Sequence, residues 1–509
     1  MSGLLAQTFQ GPEVAWFSLT PLLILVVGGT VLLVVAALTP QWPKGWYAFV
    51  TAAVAGAAGA MSMVLWDDVT DEGPRTLVGG SLALDHFALF ATIAIAVAVL
   101  LATLITDDHL RREGADGPEV HAMYLLAAAG GVVMVSANDL IVLFLGLETL
   151  SIAMYVLAAS HRTRIESKEA GLKYFILGGF SSAFFLYGIA LVYGATGSTR
   201  LAEITTVLAG EVGTDRGGDA LLLVGIGLLL VGLAFKASAV PFHVWTPDVY
   251  QGAPSPVTGF MAAAGKVAAF AALLRVLVTA LSSRVDDWRP VVWVLAVATL
   301  VIGSLLAAVQ TDIKRMLAYS SVSHAGFILV GVEAAGHLAG DDPGRGISSA
   351  LLYTLLYGVL ASGSFAVVGL VARTGEQHTG LGALRGLSRN RPLLAIGFTV
   401  LLLAQAGVPL TSGFIAKFGV IQAAVGERSY AVAIIAMVAA VIAAFMYLRI
   451  MIAMWITEPE PGDADREPVA VPFATGLAIT VAVAFTLVVG VQPSWLIDAS
   501  REVTSLALG

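Results

Sequence analysis

Val231-Gly232-Leu233-Ala234-Phe235-Lys236-Ala237-Ser238-Ala239-Val240-Pro241-Phe242-His243 is the stretch on which the fold turns. It opens as an apolar helical run, then carries a lysine and meets a proline. A proline inside a helix removes one backbone hydrogen bond and frees the carbonyl four residues back, here that of Ala237. At membrane depth a freed carbonyl needs a protein donor or water, so a broken helix borders a hydrated cavity. The pattern returns in Gln405-Ala406-Gly407-Val408-Pro409-Leu410-Thr411, where Pro409 frees the carbonyl of Gln405 and Lys417 follows further on.

Working outward, the chain is written for a bilayer, with 58% hydrophobic and 12% charged residues among 509. Apolar runs of the length a hydrocarbon core demands lie at 16–38, 45–66, 81–106, 120–136, 140–160, 171–194, 220–240, 255–281, 291–309, 314–332, 347–371, 392–425, 430–456 and 469–491. They predict an all-α polytopic membrane protein of about fourteen transmembrane helices. The runs are continuous and rich in Ala, Leu and Gly, without the alternation of a β-barrel. Two breaks, each near a lysine and each in one half, predict two five-helix repeats in inverted topology. The chain reads as one membrane domain: N-terminal helices over 1–106, a first repeat over 120–281, a second over 291–456, and an acidic loop, last helix and tail over 457–509.

Basic residues set the orientation. Lys44; Arg111 and Arg112; Arg162, Arg164 and Lys168; Lys314 and Arg315; and Arg373, Arg385, Arg389 and Arg391 fall in alternate loops, which the positive-inside rule makes cytoplasmic. Both termini are then expected on the outer side. No Lys or Arg precedes Lys44, so the first run lacks the basic start of a cleavable signal peptide and reads as a permanent helix. A net charge of -8 without a dense basic tract argues against nucleic acid as a partner. The chain has no cysteine, hence no thiolate for an iron–sulfur cluster and no disulfide. It shows no Gly-rich nucleotide loop either, and no metal site is expected.

Four of the seven lysines, Lys173, Lys236, Lys266 and Lys417, fall inside apolar runs, as does one carboxylate, Glu148. An ammonium there is expensive without a partner, water or a lost proton, which makes such residues functional candidates. Burial favours the neutral amine and a nearby carboxylate favours the charged one, so Glu148 and Lys236 form a natural switch. A row of Lys236, Lys266, His324 and Lys417 would then hand protons along the mid-membrane. Each has a plainer reading. Lys173, a few residues past a polar loop, can snorkel to the headgroups; His324 and His243 can be packing or solvated residues; Asp85 and His86 can face solvent or cap a helix; Arg275 and Arg449 need partners the sequence does not name.

Val231 to Lys236 followed by Val240-Pro241-Phe242-His243-Val244-Trp245-Thr246-Pro247-Asp248-Val249-Tyr250-Gln251-Gly252-Ala253-Pro254, and then Asp312 to Gly326, resemble two signatures of the antiporter-like subunits of respiratory complex I. The likeness runs from about the third helix to the fourteenth. Pro409 to Phe418 and Ala170 to Phe175 look N-type: the M-type has glutamate where Lys417 stands, and the long lateral helix of the L-type is missing. The resemblance implies that Glu148 and Lys236 are the coupling pair, Lys266 the central lysine and Lys417 the terminal one, and it adds Lys173 to the relay. It further implies a multi-pass protein of the bacterial plasma membrane, partnered by other membrane-arm subunits including other antiporter-like ones. NADH, FMN, iron–sulfur clusters and quinone would belong to partner subunits. A sodium/proton antiporter subunit without redox coupling, and a membrane scaffold, stay open as alternatives.

Overall fold

The computed structural model describes residues 14–39, 42–43, 45–114, 117–210, 216–337, 344–376, 379–458 and 469–506. Lys44 and most of the acidic insert, 459–467, lie outside them. Helices α1 (Thr20–Leu38) and α2 (Trp46–Glu72) lead into a hairpin of β1 (Arg75–Leu77) and β2 (Leu82–Leu84). Then follow α3 (His86–Arg112), α4 (Pro118–Ser136), α5 (Leu140–Ala158), α6 (Ile165–Thr196), a short α7 (Leu201–Ala209), α8 (Arg216–Ala237) and α9 (Trp245–Gly252). The next span joins α10 (Ser255–Phe260) to α11 (Lys266–Arg275), with π-helical turns at Met261–Gly265 and Val276–Ala280. The second half runs α12 (Val285–Val309), α13 (Ile313–Ala334), α14 (Gly344–Val371), a single turn α15 (Leu387–Asn390), α16 (Pro392–Ala406), α17 (Ser412–Gly426), α18 (Tyr430–Trp455), α19 (Phe473–Val491) and α20 (Ser494–Glu502).

Among the described residues, thirteen helices are long and apolar enough to cross a membrane, and the pair α16 and α17 makes a fourteenth span broken in the middle. The expected run at 392–425 is thus two helices, and that at 220–240 stops at Ala237. The hairpin, α7 and α20 were not anticipated. The four-residue turn of the hairpin runs through Val78, Gly79 and Gly80, all at positive φ, a region that glycine enters without steric cost.

The fourth span of each repeat is the broken one, α8 with α9 and α16 with α17. Both breaks carry a non-glycine residue in the left-handed region, Ser238 at φ 63° and Leu410 at φ 66°. Such positions cost about 1–3 kcal/mol and persist only where the surroundings impose them. A second correspondence links the repeats. Asp139 caps α5 by accepting from the amides of Ile141 and Val142, and its free oxygen accepts from Thr199 at 2.7 Å. Asp312 likewise caps α13, accepting from the Arg315 amide and from the Thr379 hydroxyl. The backbone repeats the match: Leu140 N to Thr199 O is 2.8 Å, and Ile313 N to Thr379 O is 2.7 Å. An odd number of spans separates the two caps, so the same motif stands at opposite ends of the bundle, as inversion requires.

Close helix contacts make the bundle tight. A Cβ at Gly130 of α4 would lie 2.4 Å from the Leu150 amide of α5, so only glycine lets these backbones meet.

Candidate functional site

Lys236, Lys266 and Lys417 are 6, 1 and 6% exposed, and in each the ammonium is held by neutral acceptors. Lys266, first residue of α11, donates to the Ala237 carbonyl at 3.1 Å, at the open C-terminal end of α8. This is the carbonyl that Pro241 was expected to free. Lys417 donates to the Ala406 carbonyl at 2.9 Å, one residue beyond the expected Gln405, because α16 ends at Ala406 and turns through Gly407 at φ 92°. Gln405 itself donates to Ser364 at 2.7 Å. Each half-helix therefore offers its negative end to an ammonium, in the place a carboxylate would take. A Cβ at Gly407 would lie 2.9 Å from Cδ of Lys417, so the turn and the lysine share one space.

Lys236, in the last turn of α8, donates to the hydroxyls of Ser151 on α5 at 2.8 Å and Tyr174 on α6 at 3.2 Å. Glu148 makes no ion pair with it among the described residues. Its carboxylate, half-buried on α5 one helical turn before Ser151, accepts from Ser182 of α6. The expected direct counter-charge is in this conformation one turn away, because α5 presents Ser151 rather than Glu148 to α8.

His324 is enclosed on α13. Its Nδ1 lies 2.7 Å from the Tyr353 hydroxyl of α14, and its Nε2 lies 3.1 Å from Tyr447 of α18, which bonds Ser320 in turn. A neutral imidazole has one donor and one acceptor nitrogen, so one tyrosine gives to the ring and the other takes from it. Such a ring can gain a proton on one side and lose one on the other. His243 at the first break is buried, and its Nδ1 has no hydrogen-bond partner among the described residues.

Lys173 stands apart from this row. It pairs with Glu169 at 2.7 Å and Asp248 at 2.8 Å, and its side chain is 42% exposed. With Arg315 and Glu166 it lines a cavity of about 830 Å³. Its chain neighbour Tyr174 is a hydroxyl partner of Lys236, so on α6 the cavity-lining lysine and the residue that holds the first buried lysine are consecutive. Asp248 accepts from both Lys173 at 2.8 Å and Arg315 at 2.7 Å, so two cations share one carboxylate at the cavity wall.

The same face carries a charge hub that the sequence reading missed. Glu376 is buried and accepts from Lys314 at 2.7 Å and from the Ser255 amide at 2.7 Å, with Arg164 at 3.3 Å. Lys314, read from sequence as a loop residue, is wholly buried here, and it is the loops joining α5 to α6, α9 to α10, α12 to α13 and α14 to α15 that converge. A single glutamate in a polar insert gives no signal of this. Burial alone would raise Glu376, yet Lys314, His109 and the Ser255 amide together push it down to about 2 from an ordinary 4.5. A depressed carboxyl contributes stability above its ordinary value and loses it as pH falls toward the folded value. Hydrogen-exchange protection of the Ser255 amide is expected to persist to about pH 3 and to fall away below it. Loss already near about pH 5 would contradict the pairing.

Two deep arginines also find partners. Arg275 forms a bidentate pair with Asp85 at 2.8 and 2.9 Å and donates to Val135 O at 3.0 Å. Asp85 does cap α3, through the Ala88 amide at 2.8 Å, but it is fully buried rather than solvent-facing. His86 is buried too, 3.0 Å from Thr70. Arg449 donates to the carbonyls of Ala308 and Gln310 at the end of α12. The sequence also gave no hint of Ser151, Tyr174, Tyr353 and Tyr447, since hydroxyls in apolar helices read as interface or packing residues.

Residues 137–443 match the family model described as NADH:quinone oxidoreductase/Mrp antiporter, TM. The chain is 41% identical to NADH-quinone oxidoreductase subunit N 3 of Streptomyces griseus, over 97% of this chain and 95% of that one. It superposes on a chain of respiratory complex I from Thermus thermophilus with a TM-score of 0.77 and 32% identity, covering 94% of this chain and 98% of that one. A chain of the Mrp complex from Dietzia shares the fold at a TM-score of 0.81 and 22% identity, over 96% of this chain and 97% of that one.

Proposed function

Because the chain belongs to the NADH:quinone oxidoreductase/Mrp antiporter family of membrane subunits, we propose that it serves in the membrane arm of an NADH-quinone oxidoreductase and carries protons across the bilayer. Its near full-length likeness to a subunit N supports that arm over the antiporter alternative, since the likeness to the Mrp chain extends to the fold alone. The observation that carries the reading is the placement of Lys266 and Lys417 on the carbonyls of two broken helices. A half-helix end favours the ammonium, while enclosure favours the amine, so a small change in local charge or water moves the proton.

In this reading Glu148 is the input. Charge shifts in the neighbouring subunits act on Glu148, and Ser151 and Tyr174 pass its influence to Lys236. Lys266, His324 with its two tyrosines, and Lys417 follow. Lys173 stands at the cavity mouth, supplying protons from the hub face instead of belonging to the buried row. That face is cytoplasmic and both termini are outside, in a bacterial plasma membrane. The redox groups, FMN and iron–sulfur clusters with NADH and quinone, belong to partner subunits; a chain without cysteine offers no thiolate to ligate a cluster.

Purification through a tag on this chain is expected to bring down flavin- and iron–sulfur-containing subunits, and the reconstituted complex should acidify one side of a vesicle on NADH oxidation without sodium. Isolation free of redox subunits, with sodium exchanged for protons, would instead establish the antiporter reading.

A further inference from the structure

The far end of α13, away from the Glu376 hub, holds a titratable pair that the relay above does not use. Glu333 lies in the last turn of α13 and is 2% exposed. Its Oε1 accepts from Ser429, just past α17, at 2.9 Å, and faces His337 Nε2 at 3.3 Å. Its Oε2 is buried and has no hydrogen-bond partner among the described residues. Arg289 Nη1 of α12 lies 3.4 Å from His337 Nδ1. A guanidinium only donates, so Nδ1 accepts, and the ring hydrogen of neutral His337 sits on Nε2, toward Glu333.

A buried carboxyl oxygen without a partner is expensive to keep in a structural role alone. Its position supplies a use. Helix α13 carries His324 nine residues before Glu333, about 13.5 Å along the axis, and α17 leads from Lys417 toward Ser429. The two helices that bear the last relay groups thus end at this pair. The His337 side chain is 20% exposed, which marks where solvent reaches the cluster.

We propose that Glu333, with His337 and Arg289, is the proton-release site at the outer end of the path, an assignment that rests on the relay reading. A proton leaving Lys417 or His324 breaks an N–H bond and, through transient water, forms an O–H bond at Oε2 of Glu333. Release breaks that O–H bond toward water beside His337 and regenerates the carboxylate, whose other oxygen stays hydrogen-bonded by Ser429 and faces His337. No electron is transferred.

The test uses the intact complex in proteoliposomes, with protons counted per electron. Glu333→Gln, which keeps shape and removes titration, is expected to lose the same fraction of pumping as Lys417→Ala, and the double variant to lose no more. Glu333→Asp should restore most of it. Infrared difference spectra on NADH addition are expected to show a carboxyl C=O band that is absent in Glu333→Gln. Unchanged pumping in Glu333→Gln beside a loss in Lys236→Ala and Lys417→Ala overturns the release site and leaves the relay standing. Unchanged pumping in all three overturns the relay and the release site together. Poor assembly with normal pumping per assembled complex assigns Glu333 a structural role and also overturns the proposal.

Discussion

Asp85→Ala is expected to destabilise the bundle by about 3–5 kcal/mol, measured as a loss of assembled complex and a lowered midpoint of thermal unfolding in detergent. The pair with Arg275 has both side chains almost wholly enclosed, at 0 and 2% exposure. Removing the acid leaves a guanidinium in the interior, and an arginine, unlike a lysine, cannot relieve that by losing its proton. The α3 cap at the Ala88 amide goes with it, adding about 1 kcal/mol. Asp85→Asn keeps a cap acceptor and should lose less. Asp85→Ala with Arg275→Met removes both charges and should recover much of the loss. A double variant no better than Asp85→Ala would show that the cap, not the ion pair, dominates. By the same comparison Glu376→Gln should cost less, because Lys314 can become a neutral amine.

Lys236→Ala is expected to assemble and yet pump distinctly fewer protons per electron, with proton transfer slowed by about 10²-fold or more at that step. The informative companion is Lys236→Arg. It keeps the positive charge beside Ser151 and Tyr174 but holds its proton permanently, so it should fail as Lys236→Ala does. Wild-type stoichiometry in either variant would refute the assigned role; full pumping in Lys236→Arg alone would mean that charge, not titration, matters there. Lys173→Ala should have the smaller effect, since its side chain is 42% exposed and Arg315 also reaches Asp248.

The fourteen spans and both breaks were legible because hydrophobic run length and proline placement are local properties. The Ala237 carbonyl followed from bond counting alone, and the structure puts Lys266 on it. The same counting missed by one residue at Ala406, since Gly407, rather than Pro409, ends α16. Glu148 illustrates the limit in another way. Its span was plain from sequence, but whether Glu148 or Ser151 meets Lys236 depends on how α5 is rotated against α8.

Run length and charge placement along the sequence already show that this chain lives in a bilayer, how often it crosses, and which few amines fall inside apolar runs. All of these follow from the high free-energy cost of polar groups in hydrocarbon, a cost each segment meets alone. Helix packing alone settles which partner each amine meets, that Lys314 and Glu376 close a hub, that Asp85 and Arg275 pair across 190 residues, and that one buried oxygen of Glu333 has no hydrogen-bond partner among the described residues. Those contacts depend on angles and registers between helices, and nothing in a run of apolar residues encodes them locally.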